Sequence, residues 1–246
     1  MKCRCRILQA WRPSALAAQS PEPDVARVAA LIGDPARGAM LLALLDGRAL
    51  PASELARRGG VSPQAASAHL AKLVEGGLLS VRRDGRHRLY ALRAPDVGYA
   101  LEALAALAPQ VRIVALQQNR VAGRMRDARS CHDHLAGRLG VAVTDALLAR
   151  GVLRLQDEAF EVTRAGEAFL RELGIETRVL RMQRRAFARV CVDWTERRPH
   201  LAGSLGAALR TCFLENAWVE RSPGDRSLAL TEAGRAAILA RFDCTL

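Results

Sequence analysis

Lysine is nearly missing from this chain of 246 residues, which holds it only at Lys2 and Lys72. The formal net charge of +12 is therefore almost wholly arginine. So even a spread of arginine is also what a biased base composition in the coding DNA produces. The charge thus supports a polyanionic partner without proving one. No apolar run approaches the ~20 residues needed to span a bilayer, which argues against a membrane partner. The first twenty residues are basic but lack the continuous apolar core of a secretory signal. The six cysteines are scattered without framework spacing, which fits a reducing, cytoplasmic setting rather than a disulfide scaffold. There is no phosphate loop, no pair of catalytic carboxylates and no Gly-x-Ser-x-Gly elbow, so an enzyme is not expected. A Cys131–His134 nucleophile pair is conceivable, but neighbours three apart on one helix have no evident oxyanion hole.

What is present begins with a hydrophobic fraction of 50%, ample for buried cores, and enough length for two domains or more. Residues 51 to 92 carry the strongest pattern. A short helix is predicted over Ser53 to Arg58, followed by the turn Gly59-Gly60-Val61. Ser62-Pro63 then supplies an N-cap hydroxyl and a proline at the first helical position of a second helix, which runs to Gly76-Gly77. Strand-like runs at Leu78–Arg83 and Arg86–Leu92 flank Asp84-Gly85, a favoured hairpin dipeptide. Helix, turn, helix, hairpin is a winged helix-turn-helix, whose usual work is to read DNA. In the second helix Ala66, Leu70, Leu73 and Val74 share one face and should pack inward. Gln64, Ala65, Ala68 and Lys72 lie opposite, with Ser67 and His69 on the flanks and Ser62 at the cap. These small or hydrogen-bonding residues suit a major groove. Arg82, Arg83, Arg86, His87 and Arg88 on the wing suit phosphate and minor-groove contact. The competing reading is a solvated arginine-rich hairpin on a winged helix that docks a protein.

Val61-Ser62, Ser67-Ala68-His69-Leu70, Leu73, Gly77-Leu78 and Arg82-Arg83-Asp84-Gly85-Arg86 together resemble the ArsR/SmtB family of bacterial repressors, over residues 24 to 108. Pro63 departs from the pattern, standing where the family often has a polar residue that touches DNA. The resemblance implies a homodimer on double-stranded operator DNA, released when a metal, metalloid or thiol oxidant binds. It also implies that the first and last helices of the winged domain build the dimer interface. Apolar helices predicted at Pro35 to Leu45 and Pro95 to Leu107 are the candidates. The family's best-known metal motif places cysteines on the helix before the turn, but that helix here, Ser53 to Arg58, has none. Sensing is therefore expected elsewhere.

The second half repeats itself. His134-Leu135-Ala136-Gly137-Arg138-Leu139-Gly140 recurs as His200-Leu201-Ala202-Gly203-Ser204-Leu205-Gly206, and Thr163-Arg164-Ala165-Gly166 recurs as Thr231-Glu232-Ala233-Gly234. Each copy reads as helix, hairpin, helix. The fold class expected is mainly α with small β-hairpins (α+β), a winged helix-turn-helix followed by two degenerate winged-helix-like repeats. Residues 1–23, punctuated by Pro13, Pro21 and Pro23, read as a disordered extension. The winged domain spans 24–108, and a C-terminal domain spans 109–246, with its repeats at about 131–173 and 191–241. A unit that cannot bury its face alone should dock against its twin. A helical appendage that only stabilises a dimer would satisfy the same pattern.

Cys131-His132-Asp133-His134 is the densest cluster of donors, with Cys191, Asp193 and His200 near the matching place in the second copy. Read as helical, Cys131 and His134 share a face at i, i+3. Thiolate and imidazole are donors for zinc and for softer ions such as cadmium or lead. A site at the junction of the copies would gather Cys131, His134, Cys191 and His200. No cofactor is required, and the ion would be an inducer. Two alternatives remain open here. His134 and His200 hold equivalent places that a shared packing role would also explain, and Cys131 with Cys191 would serve equally as a redox or electrophile-sensing thiol pair. Cys3 and Cys5 form a weak Cys-x-Cys pair.

Overall fold

The computed structural model describes residues 22–85, 87–109, 116–157 and 159–245. Most of the proposed extension, with Cys3 and Cys5, and the wing residue Arg86 lie outside the described residues. The chain divides into two units between Gly98 and Tyr99, a point inside a helix.

The first unit opens with a helix that the sequence reading lacked. Asp24 accepts a hydrogen bond from the Arg27 N–H at 3.1 Å and starts α1 (Val25–Ile32), which has no buried residue. Asp34 caps α2 (Pro35–Ala43) through the Arg37 N–H at 2.9 Å, with Pro35 in the first turn. This helix is core: Met40 and Leu41 are fully buried, as are Leu44 and Leu45 just beyond it. The first helix of the domain is thus α1, not the one at Pro35. β1 (Leu50–Pro51), α3 (Ala52–Gly59), α4 (Pro63–Glu75), β2 (Leu79–Asp84) and β3 (His87–Leu92) follow, and the sheet order is β1-β3-β2. Gly60 takes φ +63°, a left-handed turn between α3 and α4 that favours glycine. Leu55, Leu70 and Leu73 are fully buried and bind the two helices together. Each leucine contributes about 1.5–3 kcal/mol by leaving water. α5 (Pro95–Leu107) runs through the division.

The second unit holds α6 (Leu116–Asp127) and then one element order twice. β4 (Arg129–Cys131), β5 (His134–Ala136), α7 (Gly137–Ala149), β6 (Leu153–Gln156), β7 (Ala159–Val162) and α8 (Arg164–Glu172) form the first set. After α9 (Thr177–Arg181) come β8 (Arg189–Val192), β9 (Pro199–Ala202), α10 (Gly203–Glu215), β10 (Val219–Arg221), β11 (Leu228–Leu230) and α11 (Glu232–Phe242). Each copy is therefore hairpin, helix, hairpin, helix. The expected opening helix is a hairpin instead, and Cys131 faces His134 across it as a strand partner.

The Thr-x-Ala-Gly motif has one physical job in both copies. Thr163 accepts from the Gly166 N–H and Thr231 from the Gly234 N–H, each at 2.9 Å, capping α8 and α11. The glycine is required because a Cβ at 166 would fall 2.2 Å from the Val152 carbonyl oxygen, and one at 234 would fall 2.0 Å from that of Trp218.

The copies also exchange strand pairing. β7 of the first continues into β8 of the second, with Ala159 opposite Arg189. In return, Ser227, just before β11, bridges to Arg129 of β4. A single apolar core draws Leu135, Leu147 and Phe160 from one copy and Leu201, Phe213 and Trp218 from the other.

Candidate nucleic-acid interface and metal centre

α4 presents most of the side proposed from the sequence, but Ala65, expected outward, and Val74, expected inward, are both half-buried. Gln64, Ser67, Ala68 and Lys72 are exposed, while Ala66, Leu70 and Leu73 are buried. Ser62 is exposed, but its hydroxyl accepts from the Ala65 N–H at 3.3 Å, so its first duty is the cap. Ser67 donates to the Pro63 carbonyl at 3.0 Å. His69 differs from the expectation. Its ring turns to Asp34 at the start of α2, with Nδ1 3.7 Å from the carboxylate and the side chain only 22% exposed.

The wing carries Arg82, Arg83 and Arg88, all exposed. Arg82 reaches Asp84 at 3.4 Å. Arg83 stands directly opposite Arg88 across the hairpin. Like charges so placed destabilise a hairpin unless an anion lies between or beside them. Ser67 and Ala71 of α4, with Arg83, Arg88 and Tyr90 of the wing, line an open groove of about 600 Å³. Of the exposed row of α4 only Ser67 borders this space, with Val74 and Glu75 beside it; Gln64, Ala68 and Lys72 lie outside it. Ala71 was absent from the sequence reading, although its i, i+3 relation to Ala68 was a usable signal.

In the second unit the structure brings Cys131, His134, Cys191 and His200 together, with all four donor atoms within 4.8 Å of one another. The reason is register. Cys131 pairs with His134 on the first hairpin, and Cys191 pairs with His200 on the second. The repeat thus supplies one thiol and one imidazole from each copy. The two sulfurs are 3.9 Å apart, and the two Nε2 atoms are 3.1 Å apart. A tetrahedral zinc ion with ordinary bond lengths holds two sulfurs about 3.8 Å apart and two nitrogens about 3.3 Å apart. Cys131, His134 and His200 are buried.

The electrostatics divide the thiols. The hydrogen bond from Cys131, then those of His134 and His200, hold Cys191 well below the ordinary thiol range against the cost of burial. Burial pushes Cys131 well above that range, and the neighbouring Cys191 and Glu102 add to the effect. Burial opposes protonation of His134, but Asp133 and Cys191 outweigh it and raise its pKa.

Around the four donors sit residues that the sequence reading left without a role. Asp193 is fully buried, accepts from Arg129 at 2.8 Å, and also takes the Gly137 N–H at 2.7 Å. One face of α5 carries Tyr99, Glu102 and Ala106. The Tyr99 hydroxyl accepts from Arg185 at 2.6 Å. Glu102 pairs with Arg226. The Ala106 carbonyl accepts from Arg197, which lies between Cys191 and His200 in sequence. Among the described residues no helix is long and apolar enough to cross a membrane.

Comparison with known proteins gives the family. A model described as a helix-turn-helix domain matches residues 32–82. An uncharacterised HTH-type transcriptional regulator of Bacillus subtilis, YdfF, is 43% identical over 215 residues, covering 87% of this chain and 95% of that protein. Among solved structures, the homodimeric winged helix-turn-helix domain of Mb0332 from Mycobacterium bovis is 28% identical, covering 38% of this chain and 81% of its own, with a TM-score of 0.33. The cadmium sensor CMTR from Mycobacterium tuberculosis is 32% identical, covering 37% of this chain and 98% of its own, with a TM-score of 0.28. The match to YdfF runs through both units, so the chain belongs to the HTH-type transcriptional regulators, and residues 61 to 86 carry the ArsR/SmtB pattern within it.

Proposed function

We propose that this regulator is a homodimeric repressor that leaves its operator when a thiophilic metal ion fills the Cys131, His134, Cys191 and His200 centre. Gln64, Ser67, Ala68 and Lys72 would lie along the major groove, with Arg83 and Arg88 on the flanking phosphates. The observation that carries the metal reading is the convergence of four donors from two hairpins within 4.8 Å of one another, with the sulfur pair and the nitrogen pair near the separations of a tetrahedral zinc site. Two sulfurs and two imidazoles in a closed, buried set favour zinc over the more thiolate-demanding cadmium and lead. α1, none of whose residues is fully buried, offers surface for a second copy, and so, separately, do Leu104 and Leu107 of α5, 47% and 83% exposed. One face of α5 holds residues around both hairpins and would carry the signal out of the metal centre.

The test is fluorescence anisotropy of the full chain on its own upstream DNA, with and without zinc, cadmium and lead. Release by one of these ions is expected. A Cys131→Ser, Cys191→Ser double variant should bind DNA as tightly but ignore the ion. Operator binding that none of the ions disturbs would sink the metal reading.

A second reading draws on the 3.9 Å between the sulfurs. A peroxide could take two electrons from the pair and form a disulfide, once the sulfurs close to about 2.05 Å. Mass spectrometry after mild oxidation separates the two readings, because a reversible Cys131–Cys191 bridge belongs only to this one.

A further inference from the structure

We propose that Asp133 is the positioning residue of the metal centre, setting His134 for capture of the ion while Arg185 and Tyr99 hold it in place. The inference rests on the metal reading above and assigns to a fifth residue the orientation of one ligand.

His134 turns Nε2 toward the other donors, 3.1 Å from Nε2 of His200. For that nitrogen to offer its lone pair to an ion, the proton must sit on Nδ1. Asp133 Oδ1 lies 3.4 Å from Nδ1 and is the acceptor that favours this tautomer. A carboxylate on the far nitrogen of a ligating histidine fixes the ring and strengthens the ligand.

Asp133 is itself held by two arginines. Its second oxygen accepts from Arg185 at 2.5 Å. Arg185 donates onward to the Tyr99 hydroxyl at 2.6 Å. The Tyr99 ring is covered by the Arg189 guanidinium at 4.5 Å and meets the His132 ring edge-on at 5.6 Å. The Asp133 carbonyl accepts from Arg210 at 3.4 Å. His132, at φ +55°, makes the sharp turn that places the carboxylate beside the ring that follows it.

The second copy has no counterpart. Nδ1 of His200 is buried and lacks a hydrogen-bond partner among the described residues. Its loop is longer, and the acidic residue there, Asp193, is taken up by Arg129, Gly137 and Thr195. The centre is therefore preorganised on one side, and Asp133 is what preorganises it.

The experiment measures zinc affinity of the full-length protein by chelator competition, with cobalt absorption as a report on the ligand set. Asp133→Ala should weaken zinc binding by roughly 10–100-fold. Asp133→Asn keeps an oxygen that accepts from Nδ1–H and should lose clearly less. Both cobalt spectra should remain those of a four-coordinate centre with two sulfurs. Loss of the Arg185 pair alone would weaken both variants equally, so the gap between alanine and asparagine is the decisive readout. Thermal unfolding of the full chain without ion reports that each variant is folded, and Asp145→Ala, which loses an exposed pair with Arg198, serves as a control. Equal losses, or an alanine variant within twofold of wild type, would overturn the assignment while leaving the metal centre intact. Should the alanine variant fail to fold, Asp133→Ser, whose hydroxyl falls an atom short of Oδ1, takes its place, and a serine variant within twofold of wild type or equal to asparagine overturns the assignment. A wild-type protein with no measurable zinc affinity overturns the metal reading, and this inference with it.

Discussion

Arg129 is fully buried, and its only carboxylate partner among the described residues is Asp193, also fully buried. Replacing buried ion pairs whole is often harmless, but removing one partner leaves a charge without water or counter-charge and costs about 3–5 kcal/mol. Asp193→Asn is expected to destabilise the second unit by that amount, read by thermal or urea unfolding. The same carboxylate sets a pH dependence. Burial works against its ionisation, but the Arg129 charge and the Thr195, Glu196 and Gly137 donors outweigh it and hold its pKa below the ordinary 3.8. A depressed folded-state pKa gives stability that is complete above the unfolded value and is lost as pH falls through the folded one. Wild-type unfolding free energy should therefore drop steeply below about pH 4, and Asp193→Asn should flatten that drop. An equal acid slope in both proteins would contradict this account.

At the scale of the element, the wing combines two opposed demands. Arg83 and Arg88 face one another in the hairpin, which costs the folded protein. Under the proposed function, neutralisation by phosphate would offset that cost in a complex. Arg83→Ala and Arg88→Ala should each lower operator affinity and reduce the slope of log K against log salt by about 1. The melting temperature should stay level or rise. A fall in melting temperature with unchanged salt slope would show instead that these arginines are structural. The recognition helix and wing were legible in the sequence because their signals are local. An N-cap serine, a proline in the first turn, a glycine at positive φ and an Asp-Gly turn each act within a few residues. The hairpin at Cys131–His134 was not legible. A spacing of three fits both a helix face and a two-residue turn, and His132-Asp133 is not a sequence that favours a turn. His132 holds φ +55° in the two-residue turn that the Cys131–His134 pairing closes. His69 was misread because Asp34 belongs to another helix.

At the scale of the whole molecule, an ion held by donors from both copies should act as a clamp. A ligand that binds only the folded state adds about 4 kcal/mol at a thousandfold excess over its Kd. Zinc is expected to raise the unfolding temperature of the wild-type protein and a chelator to reverse the gain, by differential scanning calorimetry. His200→Ala should abolish most of the zinc effect although Cys131 and His134 remain on their hairpin. A zinc shift that survives this change would mean that the ion binds elsewhere.

The residues alone were enough to define the winged helix, the internal repeat and the four donors, because each rests on neighbours in sequence or on a copied string. Only the tertiary structure decided that those donors meet. Cys131 and Cys191 are separated by 60 positions, and His134 and His200 by 66. No local preference spans such distances. Their approach follows from two copies that share one apolar core and complete each other's sheets, so that equivalent hairpins are packed face to face.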